Sequence, residues 1–203
     1  MVIMEGKQNG GVIVTSQSLF QNFPTLETDR LILRKLTKED ATDIFQYASD
    51  DEVARYVTWD SHKTVEDTYQ FLQFAFDRYE AGQVAPWGIV YKADGKMIGT
   101  IDFLYWDQVH RRSEIGYVLA KPYWGQGIMT EAASKLLDFG FHKMELQRIE
   151  ARCFVENIGS ERVMQKIGMT YEGTLRKLMF IKGSFRNLKI YSILREEYFK
   201  NKE

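Results

Sequence analysis

The chain has 203 residues, a formal net charge of −1, 44% hydrophobic and 27% charged residues. That length and composition fit one globular domain with a buried core and exclude a disordered or fibrous chain. Near-neutral charge supplies no global basic field for nucleic acid, no apolar run approaches the roughly 20 residues that span a bilayer, and the lone Cys153 cannot form an intrachain disulfide, so a reducing, cytoplasmic setting is expected.

Residues 1–23 mix Gly6, Asn9, Gly10 and Gly11 with several Gln and Ser at no clear period, and read as a flexible N-terminal extension to one domain over 24–199. Residues 30–36 alternate as a first strand. Thr37 with Asp40, then Thr64 with Asp67, have the spacing of helix-start capping boxes. The first precedes Ile44, Phe45, Tyr47 and Ala48, and the second precedes Phe71, Leu72, Phe74, Ala75 and Phe76, with Gly82 as C-cap. Residues 87–91 and 97–106 flank Asp94-Gly95 as a hairpin, and 112–119 form a further strand. Met129, Ala132, Ala133, Leu136, Leu137, Gly140 and Phe141 recur at helical spacing. Residues 148–155 read as a strand, 158–167 as a short helix closed by Gly168, and 170–180 and 187–194 as terminal strands. This order predicts an α/β (α+β) architecture, a mixed sheet with helices on both faces.

The stretch from Glu114 to Glu131 carries the chemistry. A strand delivers Gly125-Gln126-Gly127 to the start of a helix. Two glycines let the backbone approach a ligand closely, and the first amides of a helix have no intrahelical acceptor. A helix N-terminus also carries about half a positive charge, so a diphosphate can be held there without metal or lysine. Taken alone, Gly-x-Gly is more often merely a strand-to-helix turn. No His-x-x-x-His or Cys-x-x-Cys spacing suggests a metal.

Three ordered motifs raise the specificity. Glu114-Ile115-Gly116-Tyr117 followed by Tyr123-Trp124-Gly125-Gln126-Gly127-Ile128-Met129-Thr130-Glu131 resembles motif A of the GNAT N-acetyltransferases. The run from Asn157 to Met169 resembles that family's N-x-x-S segment, and Thr28 to Arg34 its opening strand, in the RimJ/RimL-like branch. Trp124 and Met129 depart from the general pattern. The resemblance covers roughly residues 25–198. It implies the GNAT acyl-CoA N-acyltransferase fold, with a mostly antiparallel central sheet, and transfer of acetyl from acetyl-CoA, the cosubstrate, to an amine. It further implies that Tyr117, Val118 and Leu119 pair with the pantetheine arm like an added strand. Gly125, Gln126, Gly127, Ile128, Met129 and Thr130 would cradle the diphosphate, and Asn157 would contact the CoA arm.

The chemistry needs a neutral amine and benefits from a protonated thiol. Neutralising a lysine-like amine at pH 7 costs roughly 4–5 kcal/mol, an α-amine only about 1, and protonating a free thiolate is downhill by about 2. Ser160, at the branch's serine position, is the candidate acid; its plainer role is a helix-start hydroxyl. The tyrosine that many relatives place seven residues after the Asn is Met164, and Met179 stands where RimL-type enzymes carry a base glutamate. Glu114 is the remaining motif-linked carboxylate, either a base acting through water or a structural acceptor held by Arg112 or a neighbouring strand.

Tyr56, Trp59 and His62 lie where the branch covers its acceptor, although aromatic residues there are more often packing. His110-Arg111-Arg112 reads as a solvated connection and Cys153 as packing. The branch favours a protein N-terminus, such as that of a ribosomal protein, as acceptor. Two alternatives stay open, a small amine such as a polyamine or antibiotic, expected to need an acid-lined cleft, and a CoA-binding regulatory domain without turnover. Oligomeric state leaves no readable signature, though the tail 195–203 is too polar to be an obligate interface by itself.

Overall fold

The computed structural model describes residues 19–200. Eight strands form one sheet, in the order β1-β2-β3-β4-β5-β6-β8-β7. They are β1 (Leu26–Glu27), β2 (Leu31–Arg34), β3 (Trp87–Tyr91), β4 (Met97–Asp107), β5 (Arg112–Leu119), β6 (Arg148–Phe154), β7 (Thr170–Ile181) and β8 (Ser184–Leu194). Every neighbouring pair is antiparallel except β5 with β6. The helices are α1 (Ala41–Ala48), α2 (Asp51–Ala54), α3 (Val65–Glu80), α4 (Ile128–His142), α5 (Ile158–Lys166) and α6 (Arg195–Lys200). This is the mixed, mostly antiparallel sheet with helices on both faces that the sequence implies.

Both capping boxes form. Asp40 accepts from Thr37 N at 2.7 Å and Asp67 from Thr64 N at 3.1 Å, so the orphan donors at these starts are satisfied by the side chains the spacing singled out. The Thr37 box opens a short 3₁₀ turn, Lys38–Asp40, that leads into α1. Helix α1 buries Ala41, Ile44, Tyr47 and Ala48, and α3 buries Thr68, Leu72, Ala75 and Tyr79. These two lie on one face, with Tyr47 hydrogen-bonded to Thr100 of β4. Helix α4 lies on the other. Its Gly140 packs so closely that an added Cβ would stand 2.8 Å from Ile149 Cδ1 and 3.0 Å from Phe103 Cζ, so a larger residue would require those side chains to shift.

The domain boundary moves back from residue 24. Phe20 is fully buried and Phe23 is 8% exposed. Phe20 packs edge-on against Trp87, Trp106 and Phe139 with centroids 5.9–6.1 Å apart, and Trp87 Nε1 donates to Pro24 O at 2.7 Å. Aromatic residues bury the largest areas of any side chain, so residues 20–23 belong to the core. Residues 1–18 lie outside the described residues.

The short β1 and α2 and the C-terminal α6 were not anticipated. In α6, Tyr198 is buried with its ring 4.7 Å from Phe141, and Arg195 donates to Phe141 O. Most of the polar tail is thus docked helix. No helix among the described residues is long and apolar enough to cross a membrane.

Candidate active site

The parallel pairing of β5 with β6 covers only Arg112, Ser113 and Glu114, opposite Arg148, Ile149 and Glu150. Beyond that point β5 pairs with β4 alone and β6 with β8 alone, leaving a gap inside the sheet. Ala120 N donates to Ile98 O at 2.7 Å. Antiparallel alternation then turns the main-chain groups of Gly116 and Val118 toward β4 and those of Tyr117 and Leu119 toward the gap. Of the three residues expected to pair with an extended ligand, Tyr117 and Leu119 present their backbone, while Val118 offers only its side chain. Trp124 Nε1 already donates to Leu119 O at 2.7 Å, so this tryptophan, one of the two departures from the family pattern, is a bracket for the strand end.

Past that end, Gly125 and Gly127 both adopt φ +74°, which L side chains rarely enter. Gly127 precedes α4 without any side-chain cap. Among the described residues, the first N–H after Trp124 to find a main-chain acceptor is that of Glu131, which donates to Gly127 O at 3.0 Å. The amides of Gly125, Gln126, Gly127, Ile128, Met129 and Thr130 therefore form a donor nest with positive helix-end potential. The Met129 side chain is buried, 6% exposed, so this departure from the family pattern turns inward and leaves the amide row open.

Arg30 and Glu131 were not recognised from sequence as part of this site. Glu131 Oε1 accepts from Thr28 Oγ1 at 2.5 Å and Arg30 N at 3.0 Å, and its Oε2 accepts from Arg30 Nε at 2.6 Å. Arg30 Nη1 donates to Gln126 O at 3.1 Å. Burial works to raise the Glu131 carboxyl, but these hydrogen bonds outweigh it and hold the group below its ordinary range. A guanidinium thus stands at the nest.

At the other end of the gap, Tyr117 Oη lies 2.9 Å from Ser160 Oγ and donates to Ser160 O at 3.2 Å. Burial pushes the Tyr117 phenol above its usual range, with the Ser160 hydrogen bond working against it, so the phenol stays protonated. Asn157 caps α5, its Oδ1 accepting from Ser160 N at 3.1 Å, which leaves Nδ2 for a ligand. Burial raises the Cys153 thiol to about 11, consistent with packing. Met164 is fully buried.

On the α1/α3 face of the sheet, Glu114 is 4% exposed and both its carboxylate oxygens accept from Arg152, at 2.7 Å from Nε and closely from Nη2. The partner is Arg152 of β6 rather than Arg112, which instead reaches Asp107 and Glu150. Asp102 of β4 stands on the same face, in register with Gly116.

A cleft of about 950 Å³ lies between α2, the α2–α3 connection and the β7–β8 turn, and includes Trp59 and His62. Tyr56 instead packs on Phe154 at the end of β6. The cleft contains Arg55, Lys63, Lys182 and Arg186 against Asp51, Asp60 and Asp67. Asp51 is held by Ser61 and Lys63, and Asp67 by the backbone of Lys63 and Thr64.

A donor nest at one end of a strand gap and a hydroxyl pair at the other, set in this topology, define an acyl-CoA-dependent acyltransferase. The acetyltransferase (GNAT) domain family matches residues 30–170, and the chain belongs to it. It is similar to YoaA of Bacillus subtilis, an uncharacterized N-acetyltransferase, at 39% identity over 85% of this chain and 98% of YoaA. It is also similar to the spermidine N(1)-acetyltransferase of Escherichia coli at 28% identity, over 82% of this chain and 87% of that enzyme. The crystal structure of a GNAT-family acetyltransferase from Bacillus anthracis superimposes with a TM-score of 0.77 at 32% identity, covering 85% and 99% of the two chains.

Proposed function

We propose that this N-acetyltransferase moves acetyl from acetyl-CoA to a primary amine and prefers the α-amino group of a protein N-terminus, in the manner of RimJ/RimL-like enzymes. The observation that carries the preference is the charge of the cleft. Four cationic side chains face three aspartates, and with Asp51 paired to Lys63 the remainder, Arg55, Lys182 and Arg186 against Asp60 and Asp67, keeps one positive charge in excess. A polyamine would meet like charge there. Arg186 lines the cleft, and a guanidinium suits the carbonyl or carboxylate oxygens of a peptide.

In this reading the amides of residues 125–130 hold the diphosphate with Arg30 beside them. The backbone of Tyr117 and Leu119 aligns the pantetheine arm in the gap, and Asn157 Nδ2 reaches the same arm. Ser160, supported by Tyr117, hands a proton to the departing sulfur. The amine arrives on the face that carries Glu114 and Asp102. Similarity to a spermidine acetyltransferase favours the polyamine alternative.

The two acceptors are separated by measuring CoA release from acetyl-CoA with spermidine and with a synthetic peptide bearing N-terminal serine. The expected result is a kcat/KM at least tenfold higher for the peptide. The opposite ranking overturns the preference, and mass spectrometry of host N-termini with and without the gene then names the substrates.

A further inference from the structure

We propose that Asp102, rather than Glu114, takes the proton from the attacking ammonium, which makes it a catalytic residue; the inference rests on the amine-acceptor reading above.

Asp102 sits opposite Gly116, two residues past the last β5–β6 pair, where the gap has opened. Gly116 keeps the carboxylate bare, since a Cβ there would stand 3.2 Å from Asp102 Oδ1 and 2.8 Å from Leu104 Cδ2. Alternation along β5 puts Gly116 on the face of Glu114 and opposite Tyr117, whose hydroxyl holds Ser160. The carboxylate thus lies on one face of β5 and the Tyr117–Ser160 pair on the other, the first assigned to the incoming nitrogen and the second to the leaving sulfur.

The two carboxylates differ in availability. Glu114 is bound at both oxygens by Arg152. The Asp102 residue is half-buried, and among the described residues no hydrogen bond or ion pair engages its carboxylate. The ionisable groups that act on it are Arg78 and Tyr79 from α3 and Glu114 from β5, the last ion-paired with Arg152 of β6. From α1, Tyr47 is occupied with Thr100. Protein packed around the carboxyl raises it to about 7, with Arg78 opposing and Glu114 adding to the rise. Proton transfer from an α-ammonium near 7.8 is then uphill by only about sixfold, against about 2,500-fold from a lysine-like ammonium. The match favours the same acceptor class as the cleft.

The step balances as follows. The ammonium gives one proton to Asp102, and the freed nitrogen pair forms the C–N bond at the thioester carbonyl. The C–S bond breaks and the sulfur takes the Ser160 proton, while Ser160 receives the second proton from nitrogen. Asp102 releases its proton to solvent.

The test compares wild type, D102N, D102E and E114Q in CoA release with the N-terminal serine peptide across pH 5.5–9.5, with CoA binding followed by calorimetry. D102N is expected to lose about 100-fold in kcat/KM and the rate limb near pH 7, leaving only the ionisation of the acceptor near 8, with CoA affinity within twofold of wild type. D102E is expected to recover part of the rate, and E114Q to keep the limb near 7. A D102N enzyme within threefold of wild type, or loss of the limb in E114Q alone, overturns the proposal. If wild type binds CoA yet acetylates neither the peptide nor spermidine, the acceptor reading fails and Asp102 falls with it. If D102N does not fold, carboxyl-carbon NMR of the wild type decides, and an Asp102 titration near 4 refutes the inference.

Discussion

Replacing Glu131 by Gln tests whether the amide nest is held from behind by the β1–β2 turn. The carboxylate joins residues about a hundred positions apart, through Thr28 Oγ1 and Arg30 N on one oxygen and Arg30 Nε on the other. An amide keeps one acceptor but points a donor at a donor at the other, and it carries no charge. A hydrogen bond to a charged group contributes about 1.5–3 kcal/mol. The Arg30 side chain is 40% exposed and that of Glu131 21%, so solvent screening puts the loss near the lower end, about 2 kcal/mol. In a chain of this size that lowers Tm by about 4–8 °C.

The pH dependence has a definite sign. The folded-state pKa of Glu131 lies below its ordinary 4.5. Its stabilisation is therefore fully present above that value and is lost as pH falls through 4.5 toward the depressed one. Calorimetric melting at pH 7 and at pH 3.5 should show the gap between wild type and E131Q narrowing in acid. The loosened nest should also weaken CoA binding by about tenfold, equivalent to about 1.4 kcal/mol. An unchanged Tm at pH 7, or a gap that is constant with pH, refutes the reasoning.

Three further outcomes are expected. S160A should lower kcat by about tenfold while leaving the Kd for CoA unchanged, because thiolate departure is assisted rather than enabled by the acid; an unaltered kcat removes Ser160 from the mechanism. G127A has room for its methyl, the nearest atom being Arg30 Nη2 at 3.7 Å, but left-handed backbone costs a non-glycine residue about 1–2 kcal/mol. Its melting point should drop by about 2–8 °C, and titration calorimetry should show CoA binding at least tenfold weaker, whereas wild-type behaviour in both would show that the αL turn is dispensable. Cys153, raised from 9.0 to about 11, should react with a thiol reagent at pH 8 about 100-fold more slowly than a thiol of ordinary pKa, and equal rates with the unfolded chain would contradict its burial.

Local chemistry was legible in the sequence and long-range pairing was not. Thr37 with Asp40 and Thr64 with Asp67 identify helix starts because the capping interaction closes within three residues. Gly125-Gln126-Gly127 identifies the turn because few other residues tolerate its backbone. Arg30 was assigned to a strand, yet its partner Glu131 lies about a hundred residues away and no local pattern joins them. Glu114 finds Arg152 only because β6 leaves β5 and the guanidinium reaches back. Asp102, between Ile101 and Phe103, has the alternation of an outward polar residue, and only the register with Gly116 brings it to the gap. Phe20 and Phe23 were hidden in a polar, aperiodic stretch, where two isolated aromatics give no period to read.

The three-pair junction between β5 and β6 has a mechanical consequence. The sheet is two leaves, β1–β5 and β6–β8, stitched at one end and open at the other. An extended ligand lying along Tyr117 and Leu119 supplies the missing seam. Occupancy should then be felt across the whole molecule as stiffness, with slower amide exchange on both leaves and a melting transition that sharpens as the ligand fastens them together.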